Sequence, residues 1–402
     1  MGKPAKDLGD IIAKLDDGDR VFIAEGVCHG RGKNGHDGID KPVEIHGEFA
    51  EDFSKRDPWG EHKTILSGTN TTEDWVQGYR LSIDLSKRRD LRSKHKVVVD
   101  GLIVDNGPRN RYRDETEAKI IRMADPKTGK NPTPGFGGIS VAVTKQGDIT
   151  IRNCIVLNTA STGGGAIAAW GSEKSQVIVE NNVACNNTGY GFFLHSGFHP
   201  DELERMPQIT FRNNMSVFNS KPDLGASHGG SALKVDTATR VTAEWNVFAF
   251  NDDYGVDNSK QAKKFTLNNN LFVTNFRADY LEFDTKMDVD EIEDEADKLD
   301  EAEGNVATDK LHPKVSKPWA TKCLSRQVVD RNTKEDDVKV VKSATNELRS
   351  ILGLPLQGTS LGEYSDAWLP RILIDDVLIC GSKKVLDQFG SADPGPTTPT
   401  RP

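Results

Sequence analysis

Apolar and polar positions alternate along much of this chain, and in its middle the alternation keeps returning in one form. The stretches Ile149-Thr-Ile-Arg-Asn-Cys154, Val177-Ile-Val-Glu-Asn-Asn182, Ile209-Thr-Phe-Arg-Asn-Asn214, Val241-Thr-Ala-Glu-Trp-Asn246 and Phe265-Thr-Leu-Asn-Asn-Asn270 each close on an Asn or a Cys. From 154 to 182, 214, 246 and 270 the steps are 28, 32, 32 and 24 residues. That is the scale of one structural coil, far longer than a helical heptad.

Each motif is preceded by a turn and a short strand pattern, such as Gly165-Ala-Ile-Ala-Ala-Trp, Tyr190-Gly-Phe-Phe-Leu-His, Gly230-Ser-Ala-Leu-Lys-Val and Tyr254-Gly-Val-Asp-Asn. Another apolar run follows it, such as Val183-Ala-Cys or Leu271-Phe-Val. Three short strands per coil, rich in β-branched and aromatic residues, predict an all-β solenoid of the parallel β-helix type. Asn182, Asn214, Asn246 and Asn270 then stack as an internal ladder whose amides bond the backbone at a bend. A ladder closing a tight bend is a structural role, and no function is assigned to it.

Residues 7 to 15 place apolar groups at helical spacing ahead of the strand pattern at Val21-Phe-Ile-Ala. This predicts an N-terminal cap over 1–20, an amphipathic helix covering an otherwise open sheet edge. The β-helix is assigned to 21–285, with polar insertions at 50–62, 69–95 and 107–136 emerging from its corners. After 286 the pattern turns acidic and helical, and 336–352 again has helical spacing. A C-terminal extension over 286–389 is expected to pack on or cap the helix. The tail 390–402 is too poor in apolar groups to fold.

Length alone gives no domain count in a solenoid, which grows by adding coils. The 402 residues carry 52 Lys and Arg against 61 Asp and Glu, a net charge of −9, which argues against nonspecific nucleic-acid binding. No run approaches the roughly 18 apolar residues of a membrane span. The five cysteines, at 28, 154, 185, 323 and 380, lack metal-ligand spacing, and their odd number argues against a disulfide framework. Cys154 falls on the ladder, and Cys185 is expected to point inward with Val183. The N-terminus lacks the apolar core of a signal peptide. A secreted or periplasmic protein, its signal peptide missing from this sequence, and an intracellular one both fit.

No P-loop, dinucleotide fingerprint, HExxH motif or nucleophile elbow is present. Candidate chemistry therefore comes from the sheet formed by the first strand of each coil, whose outward side chains form rows about 4.8 Å apart. The alternation points Ile167, Ala169, Phe192, Leu194, Leu233, Val235, Val256, Leu281 and Phe283 inward. It points Ala168, Trp170, Phe193, His195, Lys234, Asp257, Glu282 and Asp284 outward, with Tyr190, Tyr254 and Tyr280 at the corners. Lys234 interrupts an apolar strand. It reads either as a lone surface lysine or as a base whose amine is desolvated and set among cations. Tyr190 reads either as a corner packing residue or as a proton donor, and His195 and His199 lie in the preceding coil.

The coil pattern with its Asn-Asn-x-x-x-x-Asn turns, together with Gly-Tyr-Gly-Phe-Phe-Leu-His in one coil and Ser-Ala-Leu-Lys-Val in the next, resembles the right-handed β-helical polysaccharide lyases. It is most similar to the family-31 alginate lyases, over about residues 20 to 285. The resemblance implies a right-handed helix and proton transfers by a Tyr and a Lys on neighbouring coils, which fall on Tyr190 and Lys234. A Glu-x-Arg strand like that of the calcium-assisted alginate lyases is not found, so no cofactor is indicated, and calcium is left open.

Removing the C5 proton of a uronate requires neutralising its carboxylate, a base at C5 and an acid at the C4 oxygen. Lys234 is given the base role, Tyr190 the acid role, His195 with Arg277 or Lys260 the carboxylate contacts, and Trp170 a sugar face. His199 and Asp257 complete the substrate-binding set. The expected activity is a lyase acting on an acidic polysaccharide, alginate or polymannuronate by resemblance, in a monomer without a nucleic-acid or membrane partner. The rivals are a β-helical glycoside hydrolase using Asp257, Glu282 and Asp284, a mannuronan C5-epimerase, and a non-catalytic carbohydrate-binding solenoid.

Overall fold

A computed structural model describes residues 7–308, leaving out 33–34, 69–77, 92–93, 107–136, 160–163, 188, 199–200 and 220–228. The expected helix at 336–352 and the tail 390–402 lie outside the described residues, as does the insertion 107–136. The rest is nearly all parallel β-structure. Its strands form three open sheets of eight, nine and nine strands. Consecutive strands visit the three sheets in rotation, so that most strands pair in parallel with the strands three places before and after. Thr285–Met287 departs from this rule, pairing antiparallel with Ala278–Glu282.

One apolar core is shared by all three sheets. Ile149 and Ile151 enter it from the first sheet, Val156, Ala184 and Phe248 from the second, and Ile167, Ala169 and Phe192 from the third. Each strand buries alternate residues there, which is the period-2 pattern read from the sequence. The second sheet is buried on its other face too, by Ile155, Leu157, Val183, Cys185, Met215 and Val217. Cys185 therefore does not point into the shared core with Val183 as expected. Both lie on the outer face, and the short runs Val-Ala-Cys and Leu-Phe-Val are apolar throughout because both faces are covered. Cys154 is in the shared core.

The asparagine ladder forms as predicted. The Oδ1 of Asn182, Asn214, Asn246 and Asn270 accepts the backbone N–H of Cys154, Asn182, Asn214 and Asn246 respectively. Each Nδ2 reaches a carbonyl of the preceding coil, as Asn214 does to Val179 at 2.9 Å. Asn305 extends the row. Five residues further along each coil, Asn187, Asn219, Asn251 and Asn275 build a second ladder of the same kind. The backbone turns through the left-handed region just before both rows, at Asn153, Asn181, Asn213, Trp245 and Asn269, and at Asn158, Asn186, Phe218, Phe250 and Thr274. Asn tolerates that conformation, whereas Trp and Phe are held in it by the fully bonded ladder beside them.

At the N-terminus the predicted amphipathic helix is instead two 3-10 turns, Leu8–Asp10 and Ile12–Lys14. The apolar spacing is used, since Leu8, Ile12 and Leu15 join the shared core. A segment this short does not nucleate an α-helix. Asp7 instead caps Gly9 at 3.2 Å and binds the backbone N–H of His29 at 2.8 Å. The acidic stretch after 286 is helical over Val289–Glu295, opened by a capping box between Asp288 and Glu291.

Candidate active site

The third sheet brings the singled-out residues to one face. Phe193 stands opposite Lys234, and Lys234 opposite Asp257, while Ala168 stands opposite Phe193 and Trp170 opposite His195. Strand alternation explains the rows, because Ile167, Phe192, Leu233 and Val256 fill the core on the reverse side.

In the last coil the register is one residue away from the one expected. Tyr280 stands opposite Val256 and is fully buried in the core, Leu281 takes the outward position opposite Asp257, and Phe283 is 64% exposed. Tyr280 is thus not equivalent to Tyr190 and Tyr254. Its phenol accepts from Asn258 at 2.7 Å and donates to Glu282 at 3.1 Å. Glu282 is buried and spends its carboxylate on the backbone N–H groups of Asp297 and Lys298. It anchors the segment at Asp297 and Lys298 and does not belong to the outward row.

Lys234 is 5% exposed although its strand position faces outward. Its ammonium donates to Asp257 Oδ1 at 2.6 Å and to the hydroxyl of Ser259. Asp257 also accepts the backbone N–H of Ser259 at 3.0 Å, so the carboxylate is fixed both by the neighbouring strand and by the turn that follows its own. Tyr190, 4% exposed, lies one coil before Lys234. Burial pushes its phenol above the usual tyrosine range, and the charges of Asp257 and Asp253 push the same way. Burial and the neighbouring carboxylates thus keep the phenol in its protonated form.

The aromatic residues form a contiguous group beside this ion pair. Tyr190 and Phe193 have ring centroids 5.7 Å apart, Phe193 and Trp170 5.7 Å, and Trp170 and His195 4.2 Å. His195 Nε2 is in contact with the carboxylate of Asp236. Arg277 and Lys260 do not converge on one point. Arg277 pairs with Asp253 at 3.0 Å next to Tyr254, ahead of the strand Tyr254–Asn258, whereas the exposed Lys260 follows that strand. Five residues of strand separate the two ends by about 16 Å. Lys260 lies on the His195 side of the face and Arg277 on the Tyr190 side. His199 lies outside the described residues.

The sequence reading did not single out Asp236, Ser259 or Asp253. The first two had a readable signal, since each follows a candidate by two residues, Lys234 and Asp257 respectively, the spacing of one strand face. No group of three or more His, Cys, Asp or Glu able to hold a metal occurs among the described residues. No helix among them is long and apolar enough to cross a membrane. No family model matches the chain, and no curated protein matches it in sequence.

Proposed function

We propose that the chain winds as a right-handed parallel β-helix and acts as a polysaccharide lyase on a uronate-containing glycan, of the alginate or polymannuronate type. The rotation of strands through three open sheets supports the winding. The observation that carries the activity is a cation and a phenol, Lys234 and Tyr190, nearly buried on the outward face of one sheet with Asp257 acting on both.

In the reaction a base removes the C5 proton, the C4–O bond breaks, a double bond forms between C4 and C5, and an acid protonates the departing oxygen. Tyr190 supplies that proton. Lys234 takes the C5 proton after its ammonium has passed a proton to Asp257 or to solvent, because an ammonium has no lone pair to offer. His195 with Lys260 faces the substrate carboxylate on one side, and Trp170 and Phe193 give the sugar ring an apolar platform. A hydrolase needs two carboxylates across the bond, and Glu282, turned inward onto the backbone N–H groups of Asp297 and Lys298, is not one of them. The protein is read as a monomer acting outside the cytoplasm.

The test is incubation with polymannuronate, polyguluronate, polygalacturonate and glucuronan, with and without chelator, following the ultraviolet absorbance of the 4,5-unsaturated uronate. A rise on one polymer, lost in Lys234→Arg, supports the reading. Arginine keeps a cation beside Asp257 but cannot act as a base. Chain shortening without the chromophore would move the assignment to hydrolysis.

A further inference from the structure

The outer face of the first sheet carries a charge arrangement that the reading above does not use. Arg240 and Lys264 stand directly opposite each other on adjacent strands, Arg240–Glu244 and Lys264–Asn268. Like charges in that relation destabilise a sheet. Every other cation on a strand of this sheet meets an acid: Arg20 and Lys96 meet Glu44 at 3.2 and 3.5 Å, Arg152 meets Asp100 at 2.9 Å, and Arg212 meets Glu180 at 2.7 Å. Among the described residues neither Arg240 nor Lys264 has an ion-pair partner. Arg240 gives one long bond, from Nη2 to the Met206 carbonyl at 3.4 Å, and its Nε is buried without a partner. Glu301, bridged to Thr266 on the far side, pairs with neither.

The two cations line a depression of about 140 Å³ together with Gln208, Thr242 and Thr266. Two positive groups, two hydroxyls and an amide, arranged around an open space with a spare buried N–H, are the donor set of a bound oxyanion. The place in the fold indicates where that anion comes from. Arg240 follows Lys234 through the turn Asp236–Thr239, and Lys264 follows Asp257 through a turn holding Lys260 and Lys263. The depression thus begins at the corner where the candidate active-site face ends.

We propose that Arg240 and Lys264 form an oxyanion subsite that holds a carboxylate or sulfate of an acidic glycan as it passes from the third sheet round the corner to the first. The identity of the polymer rests on the lyase reading, but the oxyanion site does not. The subsite lengthens the binding track and fixes the chain beyond the reacting sugar, so it acts on affinity and leaves the reacting groups untouched.

The experiment compares the full chain with Arg240→Gln/Lys264→Gln by calorimetry at low ionic strength, where such contacts are least screened. The probes are sodium sulfate, a uronate oligosaccharide long enough to leave the third-sheet face, and a neutral oligosaccharide of equal length. The double variant should fold, since both side chains lie on an outer face and their mutual repulsion is removed. Its melting temperature in the absence of anion should equal or exceed that of the parent. Support is a loss of sulfate binding, with oligouronate binding weakened at least about tenfold, the scale of one charge-assisted hydrogen bond. Equal oligouronate binding by both proteins overturns the subsite while leaving the lyase reading in place. Failure of the parent to bind any anion also overturns the subsite. Sulfate held through Arg240 and Lys264 without any oligouronate binding upholds the oxyanion site and removes the glycan.

Discussion

Asp257 Oδ1 sits 2.6 Å from Lys234 Nζ, with both side chains less than a tenth exposed, on the face of the sheet that points away from the core. Each charge is held out of water mainly by the other. Asp257→Asn keeps the shape and the bond from the Ser259 backbone but strands the ammonium, and breaking a nearly buried pair from one side costs about 3 kcal/mol. The double change Lys234→Met/Asp257→Leu should restore most of that loss. A double-mutant cycle on chemical denaturation checks it, and additive losses would mean that the two groups do not depend on each other.

The ladder makes a second prediction. Asn214 accepts from Asn182 and donates to the Val179 carbonyl and to Asn246 Oδ1, all in the buried bend. Asn214→Ala removes these four bonds and orphans the groups they satisfied, a loss of about 4 kcal/mol at roughly 1 kcal/mol per bond. Asn214→Asp should cost more, since it gives up both donors and buries a charge. Denaturation midpoints of the two variants give the order.

How much of this was legible in sequence follows from the same residues. The first ladder was readable because Asn182, Asn214, Asn246 and Asn270 close a motif whose apolar alternation is intact. The second was visible only as the last Asn of the Asn-Asn-x-x-x-x-Asn turns and was not read as a ladder, because Asn187, Asn219, Asn251 and Asn275 follow runs such as Val-Ala-Cys that are buried on both faces and show no alternation. The candidate face was readable at Phe193, Lys234 and Asp257, where the strands keep one register. It failed at the last coil, where Tyr280 fills the core beneath Val256 and pairing with Thr285–Met287 turns the chain back. Strand pairing, which fixed that register, leaves no local mark in a short run.

Glu48 predicts a pH dependence. It is fully buried in a left-handed bend, accepts the Trp59 backbone N–H at 2.9 Å, and burial pushes its carboxyl up to about 8. A carboxyl raised in the folded state favours folding while it is protonated. That contribution is complete below the unfolded value near 4.5 and is lost progressively as pH rises to about 8. At about 1.4 kcal/mol per pKa unit the swing is on the order of 5 kcal/mol. Glu48→Gln keeps the acceptor and removes the titration, so it should flatten stability between pH 5 and 8 and stabilise the protein at pH 8. The neighbouring Asp100 acts in the opposite sense and in a different window. Although burial opposes its charge, bonds from His46, Arg56 and Asn153 hold its carboxyl below the usual range. Its contribution is therefore lost only under strong acid, and urea midpoints across pH separate the two.

Gly191 joins the fold to the candidate site. It follows Tyr190 in the strand, and a Cβ there would lie 2.0 Å from Ser216 Oγ, 2.8 Å from the Ala232 carbonyl and 2.8 Å from Asn219 Nδ2. Ser216 donates to that same carbonyl at 2.9 Å and accepts from Asn219 at 3.0 Å, so the contact falls on bonded groups of the second ladder. Neither the backbone oxygen nor the bonded hydroxyl can withdraw without leaving a buried partner unsatisfied. Gly191→Ala should therefore cost about 2 to 3 kcal/mol as an overpacked site. It should also displace the Tyr190 ring from Phe193, since the strand can relieve the clash only by moving outward. Gly191→Ala/Ser216→Gly opens room for the methyl and should recover part of the stability. Melting temperatures of both variants, with the change in tyrosine fluorescence on Gly191→Ala compared with the same change in a Tyr190→Phe background to isolate Tyr190, test the link. An unchanged melting temperature in the single variant would show that the bend is looser than its hydrogen bonds indicate.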